Sequence, residues 1–390
     1  MFRKQGNVHG AFVALVATAA GIASLPKTMA AEDKGSWDVR PSMVLDALCF
    51  INSLTGDPYY LERYEEEYSR FSGYLTPPVD SALAELKRVI KDEGGGIISA
   101  TLALYYSVTP DSTLQDLIRT AEEPAGMRRL LGETPYYSDA GWQVFDQIRP
   151  ALATVLRWLQ AVEFDTYWEL EIRPIVERRI AEVEPDLEHF DVIPAIRGIP
   201  GFDLPTDQIT VFMLYFTRPH GIRVTGYRFI TDVTWPIEIV VNTAIHEMLH
   251  PPYRLDEADN LREALESLRR DTFVMSHFED HDPSFGYNTF WGYVEENIVQ
   301  ALDQLLSEGF DAAPDPHRNW READGGMHVL AVAVYSAMKE QGFPESGEAL
   351  CDFLIRNVTT GSLQPGRIRD VYTSFYAGAP DRKGTDEPSD

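Results

Sequence analysis

Apolar and polar residues along the first half of the chain alternate mostly with a helical period. Pro41 to Leu54 (MVLDALCFINSL after the first two residues) predicts a short helix, which Gly56-Asp57-Pro58 breaks. Tyr59 to Phe71 puts aromatic residues on one side and charge on the other. Pro77-Pro78 opens a helix over Val79 to Lys91, and Gly94-Gly95-Gly96 ends it. Ile97 to Val108 fits either a buried helix or a strand. Helical spacing returns at Leu114–Glu122, Met127–Gly132 and Gly141–Ala161, and a charged amphipathic helix covers roughly Asp165 to Glu184. Consecutive acids such as Glu65-Glu66-Glu67 point in different directions on a helix, so that run reads as a solvated face.

The pattern changes after the Pro- and Gly-rich turn Ile193 to Pro205. Gln208 to Thr217 is β-branched and aromatic, which predicts a strand. Arg218-Pro219-His220-Gly221 is a turn, and Arg223 to Val233 alternates as a strand or hairpin. Ile237 to Tyr253 follows as a helix rich in apolar residues, stopped by Pro251-Pro252. Asp256 to Arg270 reads as a charged helix and Ser276 to Asn288 as a polar loop. Phe290 to Leu306, Met327 to Glu340 and Glu345 to Asn357 add further helices. The expectation is a predominantly helical α+β protein. A helical N-terminal lobe spans residues 31–200, a second domain spans 201–380, and 381–390 is a polar tail.

Chemistry concentrates in the Ile237–Tyr253 segment, at His246-Glu247-Met248-Leu249-His250. Side chains four apart on a helix lie one above the other, so His246 and His250 can offer two imidazoles to one metal ion. Glu247 sits beside the first ligand, where it can act as general base toward an attacking water. Ile239, Val240, Val241, Ala244 and Ile245 make the helix a buried one, which argues against two surface histidines placed by accident.

Composition narrows the setting. The net charge of −27 argues against nucleic acid and anionic membrane surfaces as partners. The start is basic (Arg3, Lys4), Ala11 to Leu25 is a short apolar run, and small residues follow at Ala30-Ala31. This is the form of a signal peptide over residues 1–30, so an exported protein, periplasmic or secreted, is expected, free of the membrane after cleavage. Export would allow the two cysteines, Cys49 and Cys351, to pair and tie the chain ends together; the plainer reading is two buried free thiols.

A catalytic zinc ion takes three protein ligands plus water, so a third ligand is needed. No histidine follows His250 until His277, which rules out the extended pattern with a third His close behind. His277, His281 and nearby acids read as a solvated loop. The best remaining source is the Glu295-Glu296 pair, on a helix whose Val294, Ile298, Val299, Ala301 and Leu302 predict burial. A buried carboxylate is costly unless something neutralises it.

Glu-Glu-Asn-Ile-Val-Gln-Ala at 295–301 resembles the Asn-Glu-x-x-x-x-Ala segment of gluzincins, the thermolysin-like clan of zinc metallopeptidases. The resemblance covers about residues 237–302. It implies a zincin-like core of small sheet and active-site helix, one Zn²⁺ held by His246, His250 and Glu296, and Glu247 as catalytic base. On that match Glu296 rather than Glu295 is the third ligand. Gln300 stands where many members carry an Asp, and would hydrogen-bond a ligating His. Tyr287, Tyr293 and His328 are candidates for the oxyanion donor. The segment Arg254 to Thr289 would be a lid or specificity element. The implied activity is hydrolysis of a peptide or protein substrate. Two alternatives stand beside it: an inactive or structural zinc-binding protein of the same fold, and a metal-dependent amidase on a non-protein substrate.

Overall fold

The computed structural model describes residues 35–253, 259–285 and 287–377. The expected signal segment at 1–30 and the tail at 381–390 lie outside the described residues. Four strands, β1 (Ser36–Arg40), β2 (Gln208–Leu214), β3 (Ile222–Arg223) and β4 (Arg228–Asp232), form one sheet in the order β1-β2-β4-β3. β1 and β4 flank β2 in parallel, and β3 closes the edge antiparallel to β4. β3 and β4 are the hairpin that Arg223 to Val233 allowed, turning near Gly226 at φ +77°.

β1 is a correction: it lies within residues 31–200, the span expected to form a helical lobe. Trp37 and Val39 alternate inward and are buried, in register with Ile209 and Val211. Two apolar positions in five residues are too few to announce a strand alone; β2 supplies the partner. The sheet thus joins strands from both sides of the boundary expected near residue 200, and the described residues fall in one compact unit.

The rest is helical, and no helix among the described residues is long and apolar enough to cross a membrane. Ile98–Tyr106 is a helix, which resolves the ambiguous stretch. Ser276 to Asn288 is not all loop: Thr272–Asp280 is a helix, because Asp271 caps it by accepting from Phe273 N and Val274 N, both at 3.0 Å. A further helix, Ile368–Ala377, was not anticipated. Glu67 also departs from the solvated-face reading: it is buried and accepts from the Tyr215 hydroxyl at 2.6 Å. Cys49 (buried) and Cys351 (half-buried) are both free thiols.

Two features anchor the sheet where the site is built. Asp46, fully buried on the helix Met43–Leu54, accepts from Tyr215 N (3.0 Å), Phe216 N (2.8 Å) and Trp168 Nε1 (2.8 Å), fixing the exit of β2. Burial pushes its carboxyl up to about 7, against the pull of these three donors. At the end of β4, Asp232 accepts from Thr234 N at 2.6 Å, and the chain turns straight into the helix Ile237–Met248. That helix buries Val240, Val241, Ala244, Ile245 and Met248 and packs against the helix Phe290–Glu308. The second helix starts at Thr289, whose hydroxyl accepts from Gly292 N.

Candidate metal centre

The contact between these two helices brings His246, His250 and Glu296 together, with one potential ligand atom from each within 4.8 Å of the others. Both imidazoles converge through Nε2: His246 Nε2 and His250 Nε2 are 3.3 Å apart. Glu296 Oε1 lies 3.7 Å from His246 Nε2, and Glu296 Oε2 lies 3.4 Å from His250 Nε2. A tetrahedral ion with ligand distances of about 2.0–2.2 Å has ligand–ligand edges of about 3.3–3.6 Å. Two of the three separations fall in that range and the third just above it, with the glutamate presenting a different oxygen to each ring. Glu296 Oε2 is buried without a hydrogen-bond partner, and so is Glu247 Oε2 beside it. An unpaired buried carboxylate oxygen costs about 1–3 kcal/mol or more, and a cation at the centre of the triangle removes that cost for Glu296. The donor set of two nitrogens and one oxygen fits a small divalent metal ion, and the cluster can hold one.

The surrounding charges agree. Burial acts to lower the His246 imidazole, but the carboxylates of Glu296, Asp303 and Glu247 overcome it and push it up to about 10. The same negative field favours a divalent cation. Burial raises Glu247 above the ordinary carboxylate range, with the charges of His246 and Arg223 pulling it back. Glu295 is raised by burial as well, again opposed by Arg223.

The outward nitrogens of both histidines face carboxylates. His250 Nδ1 donates to Glu295 Oε1 at 3.0 Å, and His246 Nδ1 lies 3.7 Å from Asp303 Oδ2. The hydrogen bond to Glu295 orients the His250 ring with Nε2 toward the cluster, and Asp303 faces the outer nitrogen of His246. Glu295, the alternative third ligand, thus sits on the far side of His250. Gln300 does not take the expected role on a histidine. Its Nε2 donates to Glu296 Oε1 at 2.9 Å, because position i+4 falls on the same face as the glutamate itself.

Asp303 and Asn242 were missed. Asn242 Nδ2 donates to Asp303 Oδ1 (2.7 Å) and to Ser307 Oγ (3.1 Å), and Ser307 Oγ donates to Asp303 Oδ1 (2.9 Å). The signal was present as spacing. Asn242 is one helical turn before His246, and Glu296, Gln300, Asp303 and Ser307 recur at four, three and four residues along one helix.

Of the three oxyanion candidates, Tyr287 is the one brought against the cluster. Burial, then the charges of Glu296, Asp324 and Glu247, hold its phenol well above the usual range, so it is a neutral donor. Its backbone is left-handed at φ 58°, a conformation that costs a bulky residue on the order of 1–2 kcal/mol. Tyr293 instead donates to Met327 O at 2.7 Å, and the buried His328 is held by Asp324 at 2.8 Å. His277 and His281 bond through Nδ1 to the carbonyls of Phe273 and Phe278 and join no metal-ligating group among the described residues.

These observations define a protein with a part-buried two-histidine, one-glutamate cluster that can hold a metal ion, flanked by a glutamate with one buried, unpartnered oxygen. No family model, curated protein or solved structure matches the chain.

Proposed function

We propose that the protein is an exported zinc-dependent hydrolase of gluzincin type that cleaves peptide bonds, with the sheet and the two site helices acting as a zincin-like core. One observation carries the reading: Glu247 Oε2, buried and without a partner, belongs to the residue next to His246 in a cluster of three candidate metal ligands. A purely structural metal site has no use for that extra acid.

His246, His250 and Glu296 would hold the ion, and two nitrogens with one oxygen suit zinc. When bound, zinc supplies a Lewis acid that polarises a carbonyl and lowers the pKa of water. Glu247 accepts a proton from the attacking water as the water's oxygen adds to the carbonyl carbon, then passes that proton to the leaving amine. Tyr287 donates a hydrogen bond to the oxygen that gains charge. Glu295 holds the His250 ring and Asp303 faces His246, so neither ring needs to reorient during turnover.

The test compares wild type with Glu247→Gln and His246→Ala for bound metal and for cleavage of a mixed peptide library. Glu247→Gln should keep the metal and lose about 10²–10⁴-fold in kcat, whereas His246→Ala should lose both. Full activity in Glu247→Gln would remove the base assignment. A wild type that holds zinc, cleaves nothing and unfolds when stripped of it would favour a structural role. Cleavage of cell-wall cross-links but not of linear peptides would move the substrate to the amidase class.

A further inference from the structure

The helix that carries the motif ends at Met248 with Leu249 as its C-cap, so His250 lies just beyond it. The second ligand therefore lacks the helical scaffold that holds His246, and Pro251-Pro252 prevents the chain from continuing as helix. Something else must fix its backbone. Arg223, on the edge strand β3, donates from its NH2 to the His250 carbonyl at 2.7 Å. The guanidinium lies over the Tyr136 ring, 5.0 Å from its centroid. Its charge also bears on Glu247 and Glu295. Arg223 Nε is buried with no acceptor, an arrangement that a surface ion pair would not require.

We propose that Arg223 is a positioning residue of the metal centre: by holding the His250 carbonyl from β3 it replaces the missing helical support and sets how tightly the metal is bound. The ring is then fixed from two directions, its backbone by the sheet through Arg223 and its Nδ1 by the neighbouring helix through Glu295. Tyr136 is the platform that keeps the guanidinium in place, and it brings a residue of the N-terminal helical segment to the site. Arginine suits this task because its planar fork can stack on a ring while it donates sideways.

This inference rests on the reading of the cluster as a metal centre, and the experiment separates the two. Zinc affinity is measured by competition with a chromophoric chelator, and the Co²⁺ d–d spectrum is recorded, for wild type, His246→Ala, Arg223→Gln, Arg223→Lys and Tyr136→Ala, each with its metal-free melting temperature. Arg223→Gln should bind zinc about 10–100-fold more weakly, the range for loss of a group supporting a ligating histidine, with a changed Co²⁺ spectrum. Arg223→Lys, which keeps one donor, should recover part of the affinity. Tyr136→Ala should weaken binding in the same direction and serves as the probe if Arg223→Gln fails to fold. Wild-type zinc affinity and an unchanged Co²⁺ spectrum in Arg223→Gln would overturn the inference while leaving the metal centre standing. Failure of wild type to bind either ion, with His246→Ala no different, would overturn the metal-centre reading itself.

Discussion

Glu296→Gln separates the metal-free from the metal-loaded protein. In the metal-free state Glu296 is 1% exposed, and its charge pushes up both Glu247 and Glu295. Removing that charge relieves repulsion among buried carboxylates, while the amide oxygen still accepts from Gln300. The same charge attracts the His246 imidazole and helps to hold it protonated, so the two effects oppose and Glu296→Gln stripped of metal should melt near wild type. Adding zinc separates the two proteins. At a free concentration 100 times Kd, a ligand that binds only the folded state adds about 2.7 kcal/mol. At about 2.1 cal/mol/K per residue, roughly 340 ordered residues unfold with an entropy near 0.7 kcal/mol/K, so wild type should gain about 4 °C. Glu296→Gln should gain much less at the same zinc concentration, and His246→Ala almost nothing. The assay is a thermal melt in chelator and then across a zinc titration at pH 7.5. A wild-type melting point indifferent to zinc would refute a metal centre, and an undiminished gain in Glu296→Gln would hand the third-ligand role to another group.

Other changes follow from the same contacts. Asn242→Ala removes the amide that ties Asp303 to the motif helix; it should cost about 1–3 kcal/mol by chemical denaturation and weaken zinc binding, and an unchanged zinc affinity would sever the link from Asn242 through Asp303 to His246. The pH dependence of stability contains two opposing slopes. Asp46, raised from 3.8 to about 7 in the fold, contributes stability that is full below pH 3.8 and is lost as pH rises to about 7. His220, lowered from 6.5 to about 4 by burial, contributes stability that is full above pH 6.5 and is lost as pH falls toward 4. Each is worth at most about 1.4 kcal/mol per pH unit, so they largely cancel between pH 4 and 6.5. Relative to wild type, Asp46→Asn should tilt the profile toward greater stability at higher pH over that window, measured by denaturant midpoints; parallel profiles for wild type and Asp46→Asn would refute the Asp46 shift.

Much of the site was legible before any fold was known. The i, i+4 spacing of His246 and His250 and the apolar residues before them announce a buried helix and a metal-binding pair, although the helix itself ends at Met248 and His250 lies just past it. Glu296 could be picked out because a carboxylate on a helix as apolar as Phe290–Glu308 needs a reason to be there. The strands of residues 208–233 were legible from β-branched and aromatic runs. β1 was not, because two inward residues in five gain their meaning only from the strand beside them.

The sequence by itself determined which residues could bind a metal, since ligand chemistry and helical periodicity are local properties. Tertiary structure decided how they are supported, because that depends on which surfaces meet. Glu295 and Asp303 became partners of the two histidines only when the helices packed side by side. The same packing turned Gln300 toward Glu296 instead of a ring. Arg223 and Tyr136, 27 and 114 residues before His250 in the chain, reach the centre through the edge strand and the N-terminal helical segment. Such long-range contacts leave no periodic trace, because each depends on both surfaces and the chain records them far apart.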